Sequence, residues 1–369
     1  MYKYVKKGCY SLIKVNNLKK SYGGFKALHG ISFTVERGHV YGFLGPNGAG
    51  KSTTMNIITG CLAASEGTVS INGHDIFKEP IEAKKCIGYL PEQPPVYLDM
   101  KVTEYLDFVG RAKGLRGSEL YSQIDEVIEL TDLSNVHDRL IKNLSKGYRQ
   151  RVGIAQAMLG NPEVIILDEP TVGLDPIQII EIRELIKSLA VTHTVILSSH
   201  ILQEISAVCD RIMIIANGRL VANDTIDGLM KTYGSKATLE VLCRCSKERA
   251  KNTLSAVEGI LSVDVCDTED AGICSVKLEY AKDRDIREDV WKVLAASGIT
   301  VLGIIPRLMT LEDIFISLTD KDDEDEEYAP VTVQGPESPE DPGNDGGDGD
   351  GDDDDDDGDG GEEYKPLFS

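Results

Sequence analysis

No stretch of this sequence approaches the ~20 apolar residues that a membrane-spanning helix needs. The longest apolar runs are strand-sized, so a soluble polypeptide is expected, and work at a membrane would require another chain to span it. The start, Met1 to Val15, has no long apolar core and offers no secretory signal. A basic face, the footprint of nucleic-acid binding, is also missing; the formal net charge is −22. No C-x-x-C pair occurs among the eight cysteines, and free, unpatterned cysteine fits a reducing cytosol. Cys243 and Cys245, two apart, would share one face of a strand, where ordinary half-buried thiols are expected rather than a metal site.

The chain of 369 residues is long enough for two or three domains, and its charge is uneven. Asp320 to Ser369 carries 22 acidic residues against 2 lysines, which leaves the remainder close to neutral. From Thr319 there are almost no apolar residues until Leu367 and Phe368. Such a segment cannot bury enough surface to offset its ordering entropy, so residues 319–369 are expected to be a disordered acidic tail. Asp352 to Asp357 lacks the spacing of a calcium loop.

Against these absences stands one dense motif, GPNGAGKST, from Gly45 to Thr53. It satisfies G-x-x-x-x-G-K-[ST] in full. The apolar run Val40 to Leu44 precedes it as a strand, and Thr54 to Thr59 continues as a helix. Gly45, Gly48 and Gly50 allow a tight turn and close approach to a ligand. The loop's N–H groups, which Pro46 lacks but Asn47, Gly48 and Ala49 carry, and the helix start favour an anion. Lys51 is then expected to reach β- and γ-phosphates and Ser52, beside Thr53, to ligate Mg²⁺.

Weaker signals are spread along the rest of the chain. Tyr22 follows a short strand, Ile13 to Val15, and precedes another, Ile31 to Val35; it would stack on an adenine or simply pack at a strand end. Gln93 follows the strand Ile87 to Leu90 on a Pro-stiffened loop, where open α/β sheets bind ligands; a solvated loop residue is the plainer reading. Helical spacing marks Val102 to Ala112 and Ser118 to Leu130. Ser145 and Gly147 in LSKGYRQR open a further helix, as an anion site or an ordinary N-cap. Val164 to Leu167 is continuously apolar, as a strand covered on both faces should be. It ends in Asp168-Glu169, whose side chains would point opposite ways on a strand: Asp168 toward Mg²⁺ and Glu169 elsewhere in the site, unless the two are merely solvated. Turn text with Asp175 precedes another helix. The strand Thr194 to Leu197 leads to Ser198-Ser199-His200, and Arg211 to Val221 reads as a hairpin over Asn217-Gly218.

From about Thr238 the pattern becomes strand 238–243, helix 246–256, strands 260–266 and 273–279, helix 284–297, strand 299–305 and helix 310–318. That order is the split-βαβ, ferredoxin-like arrangement, and no catalytic motif lies in it. The expected fold is thus α/β: a P-loop NTPase core over 1–235 with a helical subdomain at about 95–160, a small α+β domain over 236–318, and the tail 319–369.

Tyr22, GPNGAGKST, Gln93, LSKGYRQR, VIILDEP, GLD and SSH occur once each, in that order. Over about residues 11–235 the sequence resembles the ATP-binding subunit of an ABC transporter, and NGRLVAND with the trailing domain resembles the exporter branch. The resemblance implies a Mg²⁺-dependent ATPase. It assigns Tyr22 to the adenine; Gly45, Pro46, Asn47, Gly48, Ala49, Gly50, Lys51, Ser52 and Thr53 to the phosphates; and Ser52, Gln93 and Asp168 to the metal. Glu169 would polarise the attacking water and His200 contact the γ-phosphate. Ser145 and Gly147 would close on ATP held by a second cassette, read as a copy of the same chain, with Asp175 at the seam. The implied partners are membrane-spanning permease subunits, with no nucleic acid, and the implied location is cytoplasmic, on the inner face of a membrane. Lys146 and Tyr148 depart from the family's LSGGQ, as in other exporter ATPases. The alternative is a soluble ATPase of the same family acting on a ribosome or nucleic-acid complex; its two-cassette or coiled-coil hallmarks are absent.

Overall fold

The computed structural model describes residues 11–233, 236–268, 272–281, 284–308 and 310–319; the acidic segment from Asp320 onward lies outside them. Strands β1 (Ser11–Tyr22) and β2 (Phe25–Glu36) form an antiparallel pair closed at Gly23-Gly24. Each runs twelve residues, well beyond the short strands expected at 13–15 and 31–35. Register shifts interrupt the pair between Val15 and Leu18, with Asn17 at φ 45°. A bulge breaks the two-residue alternation while the ladder continues, so periodicity understates the strands.

Strand β3 (Val40–Leu44), with all five residues buried, feeds the glycine loop. Helix α1 (Lys51–Ile58) begins directly at the end of that loop, earlier than the expected Thr54. Then come β4 (Glu66–Ile71), β5 (His74–Asp75), α2 (Pro80–Lys85) and β6 (Ile87–Leu90). The helical insert holds α3 (Val102–Ala112), α4 (Gly117–Leu130) and α5 (Lys146–Met158). After it follow β7 (Val164–Asp168), α6 (Pro176–Leu189), β8 (Thr194–Ser199), α7 (Leu202–Val208), β9 (Arg211–Ala216), β10 (Arg219–Thr225) and α8 (Ile226–Thr232). The β9–β10 hairpin turns through Asn217 and Gly218, both at positive φ, the backbone that Asn-Gly favours.

Two sheets result. One is antiparallel in the order β2-β1-β4-β5; the other runs β10-β9-β3-β8-β7-β6, parallel except for the β10 edge. Met55, Ile57 and Ile58 of α1 join Phe33, Phe43, Val69 and Ile71 in a core shared by both sheets. On the second sheet's other face, Leu44, Leu167 and Leu197 pack with Val152, Ile182, Leu185 and Ile205 from α5, α6 and α7. Each fully buried side chain of this size contributes about 1.5–3 kcal/mol. The insert is tied down by Lys113, which donates to the carbonyls of Gln156, Ala157 and Leu159 at 3.0, 3.1 and 2.7 Å. Those carbonyls end α5 and lack partners along the helix.

The remaining elements are β11 (Lys236–Arg244), α9 (Lys247–Leu254), β12 (Ile260–Asp267), β13 (Cys274–Ala281), α10 (Arg287–Ala296), β14 (Thr300–Leu308) and α11 (Leu311–Thr319). Their sheet is antiparallel, in the order β12-β13-β11-β14. Leu239, Val241, Val276 and Leu278 meet Ala250, Leu254, Val290 and Leu294 of α9 and α10 in a separate core. Helix α11 turns elsewhere. It packs on α8 and β9, and Leu311, Phe315 and Leu318 rest against the core that holds α5 to α7.

Candidate nucleotide site

Strands β3, β8 and β7 are neighbours and parallel, so their carboxyl ends share one edge. The register sets Leu44 beside Ser199 and Asp168 beside Ser198. The glycine loop, the Asp168-Glu169 pair and His200 therefore leave the sheet side by side, where open α/β sheets place ligands.

The loop is shaped by two glycines. Gly50, the residue before α1, has φ 105°, and a Cβ there would lie 2.7 Å from the Leu28 side chain. A Cβ on Gly45 would lie 2.3 Å from the Ile215 carbonyl oxygen. Helix α1 has no side-chain cap and no acidic residue in its first turn. Its leading amides are left to an external acceptor, so the chemistry of this end fits a phosphate.

Lys51 is 6% exposed and Glu169 7%, so the two charges face each other away from bulk water. Lys51 Nζ donates to the carbonyls of Gly45 at 2.8 Å and Pro46 at 3.2 Å, and lies 3.5 Å from Glu169 Oε1. The other oxygen of Glu169, Oε2, is 3.0 Å from His200 Nδ1. Asp168 Oδ1 accepts from Ser52 at 3.3 Å and from Ser198 at 2.5 Å. Ser198 Oγ in turn accepts from the Glu169 amide at 3.0 Å. Burial, reinforced by the nearby Asp168 charge, pushes the Tyr89 phenol well above its usual range.

Strand alternation does not aim the carboxylates. β7 ends at Asp168, and Glu169 takes φ 49°, a left-handed conformation that costs a residue with a side chain about 1–3 kcal/mol. That backbone turn brings Glu169 to Lys51 and His200. A buried carboxylate behind it braces the loop: Glu204 accepts from Thr171 Oγ1 at 2.5 Å and Ser199 Oγ at 3.0 Å.

A cavity of about 470 Å³ collects Tyr22, Asn47, Gly48, Gly50, Lys51, Ser52, Thr53, Glu169 and His200. Gly45, Pro46 and Asp168 adjoin it through the bonds above, and Ala49 closes the loop by donating its amide to the Pro46 carbonyl at 3.2 Å. Phe25 and Glu92 also line the cavity without having been expected there. Phe25 pairs with Tyr22 across the hairpin end, a register that strands confined to 13–15 and 31–35 do not contain. Gln93, Ser145, Gly147 and Asp175 are not among the lining residues. Gln93 is exposed. Ser145 caps α5, accepting from Tyr148 N at 3.3 Å, and Asp175 caps α6, accepting from Ile177 N and Gln178 N at 3.0 Å each. A Cβ on Gly147 would lie 2.8 Å from the Gln178 side chain, so the starts of α5 and α6 pack against each other with Gly147 buried between them.

Comparison with known proteins identifies the family and the fold. The family described as ABC transporter matches residues 28–172. The chain is similar to the linearmycin resistance ATP-binding protein LnrL of Bacillus subtilis, at 32% identity over 84% of this chain and 98% of that protein. It is also similar to the bacitracin transport ATP-binding protein BcrA of Bacillus licheniformis, at 35% identity over 84% of this chain and 97% of that one. Among solved structures, an ATP-binding subunit of an ABC transporter superposes with a TM-score of 0.56 at 32% identity, covering 61% of this chain and 94% of the other. The dimeric bacterial ABC transporter cassette MJ0796 gives 0.53 at 27% identity, covering 58% and 98%.

Proposed function

The chain belongs to the ABC transporter family as an ATP-binding, ATP-hydrolysing subunit, and from that premise we propose that two copies close around ATP to drive export through separate membrane-spanning subunits. The observation that carries this reading is the division of the machinery. Lys51, Ser52, Glu169 and His200 line one cavity, while Ser145 and Asp175 are exposed outside it and Gly147 lies buried between them, under the Gln178 side chain. A second copy supplies to this cavity what the chain itself holds elsewhere. The dimeric cassette MJ0796 supports the arrangement.

In this reading Tyr22 stacks on the adenine, and the loop from Gly45 to Thr53 cradles the phosphates. Ser52 and Asp168, already joined at 3.3 Å, would hold Mg²⁺, with Gln93 as a third contributor. The ion would supply neutralisation of charge on the phosphate oxygens. Glu169 orients and polarises the attacking water, and His200 contacts the γ-phosphate. Phosphoryl transfer demands mainly such positioning and charge stabilisation. Lys51 exchanges its loop carbonyls for phosphate oxygens.

Among the described residues no helix is long and apolar enough to cross a membrane. We place the chain on the cytoplasmic face, docked on permease subunits through the exposed Gln93 loop. Relatives named for linearmycin resistance and bacitracin transport support the exporter branch. In this reading residues 1–235 form the nucleotide-binding domain with its helical subdomain at about 95–160, and residues 236–318 a ferredoxin-like accessory domain; the expected acidic tail from Asp320 lies outside the described residues. The order β12-β13-β11-β14 supports the second assignment. The test is the mass of a Glu169→Gln variant loaded with ATP, alone and with its membrane partners. A dimer is expected; a monomer under both conditions overturns the proposal.

A further inference from the structure

The trailing domain contains a side-chain cluster unconnected with the nucleotide cavity. Cys243 lies near the end of β11, Cys245 just beyond it, and Cys274 opens β13. Cys243 and Cys274 are direct cross-strand partners, and Cys245, two residues from Cys243, returns to the same face. The three sulfurs form a nearly equilateral triangle: Cys243 to Cys274 is 3.5 Å, Cys243 to Cys245 is 3.7 Å, and Cys245 to Cys274 is 3.8 Å. The sequence shows only the pair Cys243 and Cys245, too few ligands for a site. The third comes from the strand register, about thirty positions on in a different element.

The size of this triangle is informative. Zinc–sulfur bonds are about 2.3 Å, so two thiolates on one tetrahedral ion lie about 3.8 Å apart, by the geometry of a tetrahedron with that bond length. The three sulfurs thus already occupy positions close to one face of such a tetrahedron. Cys243 and Cys274 are buried, and Cys245 is partly exposed. An ion would enter past Cys245 and keep its fourth position toward solvent.

We propose that Cys243, Cys245 and Cys274 form a binding site for a thiophilic divalent cation of the zinc class, held by three thiolates and one exchangeable ligand. On binding, three thiol protons pass to solvent and three metal–sulfur bonds form. No electrons are transferred, and the complex carries one net negative charge. Burial raises the Cys245 thiol above its usual range, and the Arg249 charge works only weakly against that rise. Arg249 is fixed by donating to the Ser297 carbonyl at 2.7 Å. Oxygen-preferring ions such as Mg²⁺ and Ca²⁺ are the wrong class for three sulfurs, which separates this site from the metal position proposed beside Ser52. The ion would pin β11 to β13 at the end of the sheet where α9 begins.

The test uses the full chain, kept reduced with a phosphine and titrated with Cd²⁺ while thiolate-to-cadmium absorption is followed in the ultraviolet. One equivalent is expected to bind with three thiolates per ion, and Zn²⁺ added first should compete with it, raising the Cd²⁺ needed for saturation. Cys245→Ser should weaken binding at least about tenfold, the lower end of the loss typical for altered metal-site groups. The Cys243→Ala/Cys245→Ala/Cys274→Ala variant should lose the signal. Cys245 is partly exposed, so its serine variant should fold; circular dichroism and an unchanged ATPase rate would verify this. Carboxylates of the acidic segment give no such absorption and cannot mimic the result. Absence of the signal from the reduced parent chain, or a signal undiminished in the triple variant, would overturn the proposal. So would a Cys243–Cys274 disulfide that resists the phosphine.

Discussion

His200 Nδ1 stands 3.0 Å from Glu169 Oε2, which links the loop after β7 to the end of β8. The same carboxylate offers its other oxygen to Lys51. One side chain therefore connects the helix start after the phosphate loop to the ends of β7 and β8.

Glu169→Gln keeps the shape of that side chain and a hydrogen-bonding group toward His200 but removes its charge. Hydrolysis is expected to fall by about 10²–10⁴, the usual contribution of a positioned acid–base group, with ATP still bound. Retained nucleotide and released phosphate, measured in one sample, check this. Unchanged turnover would remove Glu169 as the water-polarising residue.

Tyr22 and Phe25 lie together at the mouth of the cavity. A base stacked on an aromatic ring is worth about 1–3 kcal/mol, so Tyr22→Ala should raise the Kd for ATP by about 5- to 150-fold. Tyr22→Phe should stay near the parent value. Calorimetric titration distinguishes the two, and equal affinity in both variants would show that the ring does not meet the base.

Glu204 accepts two hydroxyl hydrogen bonds while buried. Glu204→Ala leaves Thr171 and Ser199 without that partner and should cost about 1–3 kcal/mol of stability. It should also slow hydrolysis, because Thr171 anchors the loop that carries Glu169. Urea unfolding and kcat are the readouts; an unaltered midpoint with unaltered kcat would refute the bracing role.

Lys113 sets a pH dependence. Burial lowers its pKa from 10.5 to about 8. The folded chain releases this proton near pH 8, whereas the unfolded chain keeps it until about 10.5. Between those values the unfolded state holds more protons, so this group makes stability rise with pH there and leaves it flat below. Lys113→Met should remove that rise. Chemical unfolding at intervals across the window tests it, and identical slopes for parent and variant would contradict it.

What was legible in the sequence follows from how each feature is made. The Gly45–Thr53 loop is built from consecutive residues, so its spacing alone predicts its backbone. Val164 to Asp168 and Thr194 to Ser199 announce themselves as strands because both faces are covered. Phe25, Ser198 and Glu204 acquire their roles only through cross-strand register or packing between elements, which no local pattern encodes. Glu169 reaches Lys51 and His200 through a positive φ beyond the strand, not through the strand alternation that its sequence position suggests. The bulge at Asn17 hid half of β1 in the same way, by interrupting the period that reveals a strand. Cys274 shows the same limit, since nothing in the sequence ties it to Cys243.

The path of α11 has a mechanical consequence. The polypeptide departs after α8, builds the β11–β14 sheet, and comes home through Leu311, Phe315 and Leu318 to the core that α8 also joins. The sheet is therefore an excursion moored at two neighbouring berths, not a pendant swinging from one. Any slippage of α8 against β10 must drag both moorings or prise an apolar helix from its seat.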